Sequence, residues 1–333
     1  MFILLSIIIA VAISLILLWL CNNKSESFWR IFPPFSDYVD SKRIFNIPLT
    51  PLTLPVRNYN QSEIQVPSFF AYDPKMLVSV RNQENTPFCW GFAIAALLSD
   101  YTSTRISQFK KWVSIQDIVS CFPHPDPNTG GAVPEEVLIW LSTSHFSIKV
   151  NNNIDQFPRQ LCSKTTSKNT NNTIDVNTPI VALTTFQGGG DRHFDPAIIA
   201  QNVYNIKRYL TEVGPVLATI DIYDDLENFS GNGIYRRKSD NFQGGHVVEI
   251  VGWCDAKVDP RPQYSNAYWI CRNSWGSEWA SRYDFPGYFA IAQGQNMLGI
   301  ESRVTGATTT IISVSAPFIE NLILLHPVGG THS

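Results

Sequence analysis

The hydrophobic pattern of this 333-residue chain changes period at Gly214-Pro215, and that change constrains the fold more than any composition figure. Before it, apolar residues recur at helical spacing over roughly 89–105 and, after Pro134, over 135–144. They do so again over 198–213, where Ile206, Tyr209, Leu210 and Val213 share a face. After it come short β-type runs at Val216–Ile222, His246–Trp253, Tyr268–Arg272 and Gly287–Ile291. A helical half followed by a mainly β half predicts an α+β chain with two lobes and a cleft between them. The stretch 151–195 is Asn- and Thr-rich and carries Gly188-Gly189-Gly190, which predicts a surface insertion.

The ends read differently from the middle. Residues 2–20 carry no charge, and at about 1.5 Å per residue they nearly cross a bilayer core of about 30 Å. This predicts a transmembrane anchor or signal-anchor over 1–21, with a cleaved signal peptide as the competing reading. Lys24 and Arg30 behind the span favour a cytoplasmic C-terminal side. The sequons Asn60-Gln61-Ser62, Asn171-Asn172-Thr173 and Asn228-Phe229-Ser230 favour a lumenal one. Residues 22–65 are polar and punctuated by Pro33, Pro34, Pro48, Pro51 and Pro55, the composition of a stalk or short pro-segment. A main domain is expected over 66–315, with a C-terminal tail over 316–333.

Composition excludes several functions. A formal net charge of −3 gives no electrostatic case for nucleic acid. The six cysteines form no CxxC pair and the six histidines no HExxH, so neither a metal nor another cofactor is expected.

Chemistry concentrates in three separated stretches. In Arg81–Ala93 a polar, Pro-containing loop delivers Cys89 to the first turn of an apolar helix. The positive helix end there favours a thiolate, the nucleophilic form. Gln83, six residues earlier, offers an amide that can join the Cys89 backbone N–H in holding an oxyanion. Gly245-His246 heads one β-run, and the next ends Arg272-Asn273-Ser274-Trp275-Gly276. Paired as antiparallel neighbours, these runs bring His246 and Asn273 side by side. Cys, His and an orienting amide form a nucleophile–base–orienter set, with Trp275 placed to shield it from water.

On these residues the chain resembles the papain-like cysteine peptidases of the cathepsin group. Gln83…Cys89-Trp90, Gly245-His246 and Asn273-Ser274-Trp275-Gly276 match the family's motifs, and Val113–Cys121, Gly214-Pro215 and Gly299-Ile300-Glu301 are further landmarks. The resemblance spans about 66–304. It implies the papain-like two-lobed fold: a helical left lobe and an antiparallel β-barrel-like right lobe around the active-site cleft. It implies Cys89, His246, Asn273 and Gln83 as catalytic residues, and Gly130, Gly131, Trp275 and Arg303 as substrate-binding ones. It also implies a Cys121–Cys162 disulfide, with Cys254 and Cys271 left as buried thiols. The expected protein is a monomeric, membrane-anchored zymogen of an endopeptidase. Its peptidase domain would act on proteins and peptides in an endolysosomal or secretory lumen, or at a virion or host membrane.

The departures are local. Thr86, Asn128, Asp240 and Leu298 stand where the family places two further disulfides, and both members of each bridge are missing together. Pro87 and Phe88 replace small residues beside the nucleophile, which predicts a narrowed cleft or the loss of a backbone substrate contact, with consequences for efficiency and specificity. No long loop with paired histidines follows Cys121, so an exopeptidase plug of the cathepsin B type is not expected. Arg303, at the floor of the family's main specificity pocket, predicts a preference for an acidic side chain two residues before the cleaved bond. The rival readings are a catalytically impaired relative serving as a binding module and an acyl transferase built on the same triad.

Overall fold

A helix with almost no polar face occupies the centre of the molecule. The computed structural model describes residues 54–62, 64–106, 111–126, 129–144, 146–151, 162, 173–186 and 195–311. The central helix, α1 (Cys89–Ser103), buries every residue except Tyr101. Apolar all round, it is stable only when covered on every side. Two shorter helices cover one flank, α2 (Ile115–Cys121) and α3 (Pro134–Thr143). Ser114 caps α2 by accepting from the Asp117 N–H, and Pro134 opens α3 at a position where its missing N–H costs nothing. Where α1 crosses α2, a Cβ at Gly91 would lie 2.4 Å from Val119 Cγ2, so only glycine permits this approach.

The other flank is a sheet. Its strands are β1 (Phe69–Ala71), β2 (Trp112–Val113), β3 (Ile148–Asn151), β4 (Thr173–Ala182), β5 (Val216–Tyr223), β6 (Ile234–Tyr235), β7 (Phe242–Cys254), β8 (Tyr268–Arg272), β9 (Tyr288–Ala292) and β10 (Val304–Ile311). They run in the order β2-β3-β4-β10-β5-β7-β8-β9-β6, with β1 on the end of β7. All pairs are antiparallel except β6 with β9. Two large cores result, one around α1 and one on the far side around Trp253, Trp269, Tyr209 and Phe289. This is the α+β, two-lobed architecture that the change of period predicts.

A longer helix, α4 (Pro196–Glu212), closes the far side, and a single turn, α5 (Asp224–Glu227), follows β5. Asp195 caps α4 through its Oδ1, which accepts from the Ala197 and Ile198 N–H groups. Asn202 and Asn205 on its buried face donate to the backbone carbonyls of Glu301 and Leu183, so the helix is held by amides as well as apolar contacts.

One expectation needs correction. The stretch 151–195 is not all surface insertion: Thr173–Ala182 is β4, pairing with β10 and burying Ile174, Val176 and Ile180. Its Ile–Val alternation and β-branched content outweigh the Asn-rich composition around it. The last part of the stretch expected as a stalk or short pro-segment docks on the body. Arg57 N–H donates to Ala182 O, Tyr59 N–H donates to Asn205 Oδ1, and the Tyr204 hydroxyl donates to Ile64 O. The expected anchor (1–21), most of 22–65 and the tail 316–333 lie outside the described residues. Among the described residues no helix is long and apolar enough to cross a membrane.

Candidate active site

The loop ahead of α1 is sewn to the end of β8 by its backbone. Gln83 N–H donates to Ser274 O at 2.7 Å and Gly276 N–H to Arg81 O at 3.0 Å, so motifs almost two hundred residues apart become one structure. The Gln83 side chain is buried and oriented twice: Oε1 accepts from Ser274 Oγ at 2.6 Å, and Nε2 donates to Thr86 O at 3.0 Å. A primary amide carries two N–H donors, and Thr86 takes one of them. The role of Ser274 was legible in the sequence only as part of the Asn273–Gly276 motif.

β7 and β8 pair with Glu249 opposite Arg272, which brings His246 alongside the residue after β8. His246 Nε2 lies 2.8 Å from Asn273 Oδ1. That same oxygen accepts from the Ser274 N–H at 2.8 Å, so it acts as an acceptor towards both neighbours. Nε2 therefore carries the proton, and in the neutral ring Nδ1 is the basic nitrogen. Trp275 lies against the imidazole with ring centroids 4.9 Å apart and planes 30° apart, and Trp279 packs edge-on behind it at 4.9 Å. Trp275 is only 2% exposed, so its ring covers the imidazole instead of lining an open subsite.

Cys89 opens α1 and packs against β7, where the Val247 N–H donates to its sulfur. The thiol is fully buried, and burial pushes its pKa up to about 12. A rise of that size opposes ionisation by about 4 kcal/mol. A helix N-terminus returns at most about 2 kcal/mol. In this conformation burial outweighs the pull of the helix end towards the thiolate.

Gly130 and Gly131 lie beside this start of α1. The Trp90 Nε1–H donates to Gly130 O at 3.1 Å, and Gly131 O accepts from the Asp126 N–H at 2.7 Å. Gly130 has φ +70, and a Cβ there would meet Pro87 Cγ at 2.8 Å and Phe88 Cε1 at 3.7 Å. Pro87 and Phe88 thus pack on the glycine segment, bracing it where the family's crosslink to position 86 is missing. Cys121 and Cys162 are disulfide-bonded, with Cα atoms 4.8 Å apart, while Cys254 and Cys271 are free and buried.

Arg303 is buried, and its Nη2 bonds Asp221 Oδ1 on β5 at 2.7 Å, a partner that the sequence did not reveal. Next to the Asn273–Gly276 segment, Arg272 bonds both Asp100 of α1 and Glu249 of β7 at 2.5 Å. The sequence signal for this cluster was available: Asp100 and Glu249 are charges placed on otherwise apolar elements.

Comparison with known proteins decides the family. The model of the papain family cysteine proteases matches residues 67–308. The chain belongs to the papain family of cysteine proteases. It is 26% identical over 250 residues to a gut-specific cysteine proteinase of Caenorhabditis elegans, covering 71% of this chain and 70% of that one. It is 24% identical over 330 residues to cathepsin B-like cysteine proteinase 4 of the same organism, covering 87% and 90%. Among solved structures, procathepsin B S9 of Trypanosoma congolense superposes with a TM-score of 0.61 at 20% identity, covering 82% of this chain and 89% of that one. Procathepsin L 3 of Tenebrio molitor does so at 0.57 and 17%, covering 78% and 75%. These superpositions establish the papain-like fold.

Proposed function

We propose that the chain is a cysteine endopeptidase that cleaves peptide bonds through a covalent thioester on Cys89. The observation that carries this reading is the His246–Asn273 pair at 2.8 Å, formed one residue from the backbone N–H that meets the Cys89 sulfur.

In the proposed cycle, substrate enters the cleft and the Cys89 thiol passes its proton to His246 Nδ1. The sulfur attacks the scissile carbonyl carbon, and the carbonyl π electrons move to oxygen. The Cys89 backbone N–H and the second Gln83 N–H hold that oxyanion. Collapse expels the amine, which takes the proton from His246 and leaves a thioester. Water then attacks with His246 as base, and thiol and carboxylic acid are released. Asn273 keeps the imidazole in one tautomer throughout, and Trp275 excludes water from that bond. Gly130 and Gly131 offer backbone groups to an extended substrate.

The sequence after Cys121, which carries no paired histidines to receive a substrate carboxylate, supports endopeptidase action. The Cys121–Cys162 bridge supports an oxidising lumen, and the uncharged 2–20 run supports attachment to its membrane. The docking of Tyr59 and Ile64 on α4 supports synthesis as a zymogen with its domain beginning near Val66.

An epoxysuccinyl thiol reagent together with an internally quenched peptide tests the reading. Labelling and cleavage that both vanish in Cys89→Ala are expected. The complete burial of Cys89 favours one alternative, an impaired relative acting as a binding module. Intact protein that neither labels nor cleaves after removal of residues 1–65 would establish that alternative.

A further inference from the structure

A second concave site opens at the opposite end of β8 from Asn273. It is a cavity of about 440 Å³, a size suited to a small ligand or a single large side chain. From Asn273 to Tyr268 on its wall is five residues of strand, about 17 Å. The wall also reaches Tyr288, which pairs with Arg272, but none of Gln83, Cys89, His246 and Asn273 lines the cavity, so it is distinct from the cleft.

Its walls combine two chemistries. Tyr72, Tyr268, Tyr283 and Tyr288 form the interior, and Phe69 and Phe285 stand at 52% and 43% exposure. Large exposed phenyl rings at a cavity mouth are costly unless something covers them. Three carboxylates, Asp73, Asp259 and Asp284, line the same space against one cation, Arg261, and no lysine lines it. The wall thus carries two more negative than positive charges. Arg261 shows what these carboxylates attract: its guanidinium bonds Asp259 at 2.7 Å and Asp284 at 2.8 Å, and it also lies 4.2 Å from the ring centroid of Tyr264, which is outside the cavity lining. Asp73 receives only the backbone N–H of Lys75, at 2.9 Å, so its negative charge is not cancelled by that bond.

We propose that this cavity is a binding site for an organic cation, a guanidinium or alkylammonium group such as an arginine or lysine side chain, held between aromatic faces and the Asp73 and Asp284 carboxylates. Aromatic rings attract cations through their negative faces, and carboxylates supply the directional bonds. The site acts as an exosite: a basic side chain seated here tethers its peptide while the cleft acts on another part of it, and a free amine of the same chemistry competes.

The experiment measures binding to the full chain carrying Cys89→Ala, so turnover plays no part. The probes are Nα-acetyl-arginine amide and its neutral isostere Nα-acetyl-citrulline amide, followed by saturation-transfer NMR and calorimetry. Arginine amide should bind at least about tenfold more tightly than citrulline amide, the scale of a partly desolvated cation–π contact. Asp73→Asn and Phe285→Ala should each weaken it at least about fivefold, and Phe285→Leu should not rescue it, because area without a ring does not replace the quadrupole. Both positions are exposed, and unchanged thermal midpoints would confirm that the fold is intact. No binding, equal binding of citrulline amide, unchanged binding in the variants, or displacement by a neutral cleft peptide would each overturn the proposal. These outcomes are independent of whether Cys89 is a nucleophile.

Discussion

Arg303 and Asp221 are bonded at 2.7 Å, with side chains only 2% and 4% exposed. The residue expected from the sequence at the specificity floor is therefore one half of a buried ion pair. A guanidinium held this way discriminates weakly for an incoming carboxylate, because the substrate would have to compete with Asp221. Peptide-library cleavage by the wild-type enzyme should show little acidic preference two residues before the scissile bond. Asp221→Asn should raise the acidic-over-apolar ratio of kcat/KM at that position by about tenfold, the value of one charge-assisted bond. An unchanged ratio would place Arg303 outside the specificity pocket.

Cys89 yields a prediction with a definite sign. A thiol whose pKa is pushed up to about 12 holds almost no thiolate at neutral pH. Alkylation of the resting chain by iodoacetamide should be slow at pH 7 and keep rising through pH 9. A rate already at its plateau by pH 5 would mean that a resting thiolate–imidazolium pair exists.

Asn273 accepts from both His246 and the Ser274 N–H. Asn273→Ala should free the imidazole to rotate and lower kcat by about a hundredfold, near the lower end of what acid–base catalysis contributes, with KM little changed. Asn273→Asp, which keeps the acceptor, should retain more activity than Ala. Its pH profile should shift upward, because a nearby carboxylate stabilises the imidazolium. An equal loss in both variants with an unshifted profile would make Asn273 a purely structural residue.

Much of this site was legible because its parts are local. Cys89 at a helix start, His246 heading one strand and Asn273 closing the next each follow from short patterns, and antiparallel pairing joins the last two. What was hidden depends on partners distant in the chain. Asp221 sits 82 residues before Arg303, and no pattern at either position announces the other. The strand Thr173–Ala182 was hidden because its partner, β10, lies more than a hundred residues later and is rich in threonine rather than large apolar residues. Burial of Cys89 is likewise a tertiary property: the helix end reads from sequence, while the desolvation that outweighs it does not.

The cluster next to the Asn273–Gly276 segment gives a final test. Arg272 faces two carboxylates, Asp100 and Glu249, all three nearly or fully buried, and burial pushes both carboxyls upward, Glu249 well above its ordinary value. Arg272 pulls both downward without overcoming burial; Asp100 pushes Glu249 further up, while the hydrogen bond with Glu249 pulls Asp100 down. The folded state thus binds protons more tightly here than the unfolded chain does. The contribution to stability is present at and below the ordinary carboxylate range and is lost as pH rises through the raised values. Glu249→Gln imitates the protonated acid and should leave stability at neutral pH unchanged or raised, while flattening the decline between acidic and neutral pH. Arg272→Met strands the carboxyls without their cation and should cost about 3–5 kcal/mol. Urea unfolding of the three proteins at pH 5 and pH 7.5 measures both effects. Glu249→Gln as damaging as Arg272→Met at both pH values would mean that Glu249 is ionised in the folded protein.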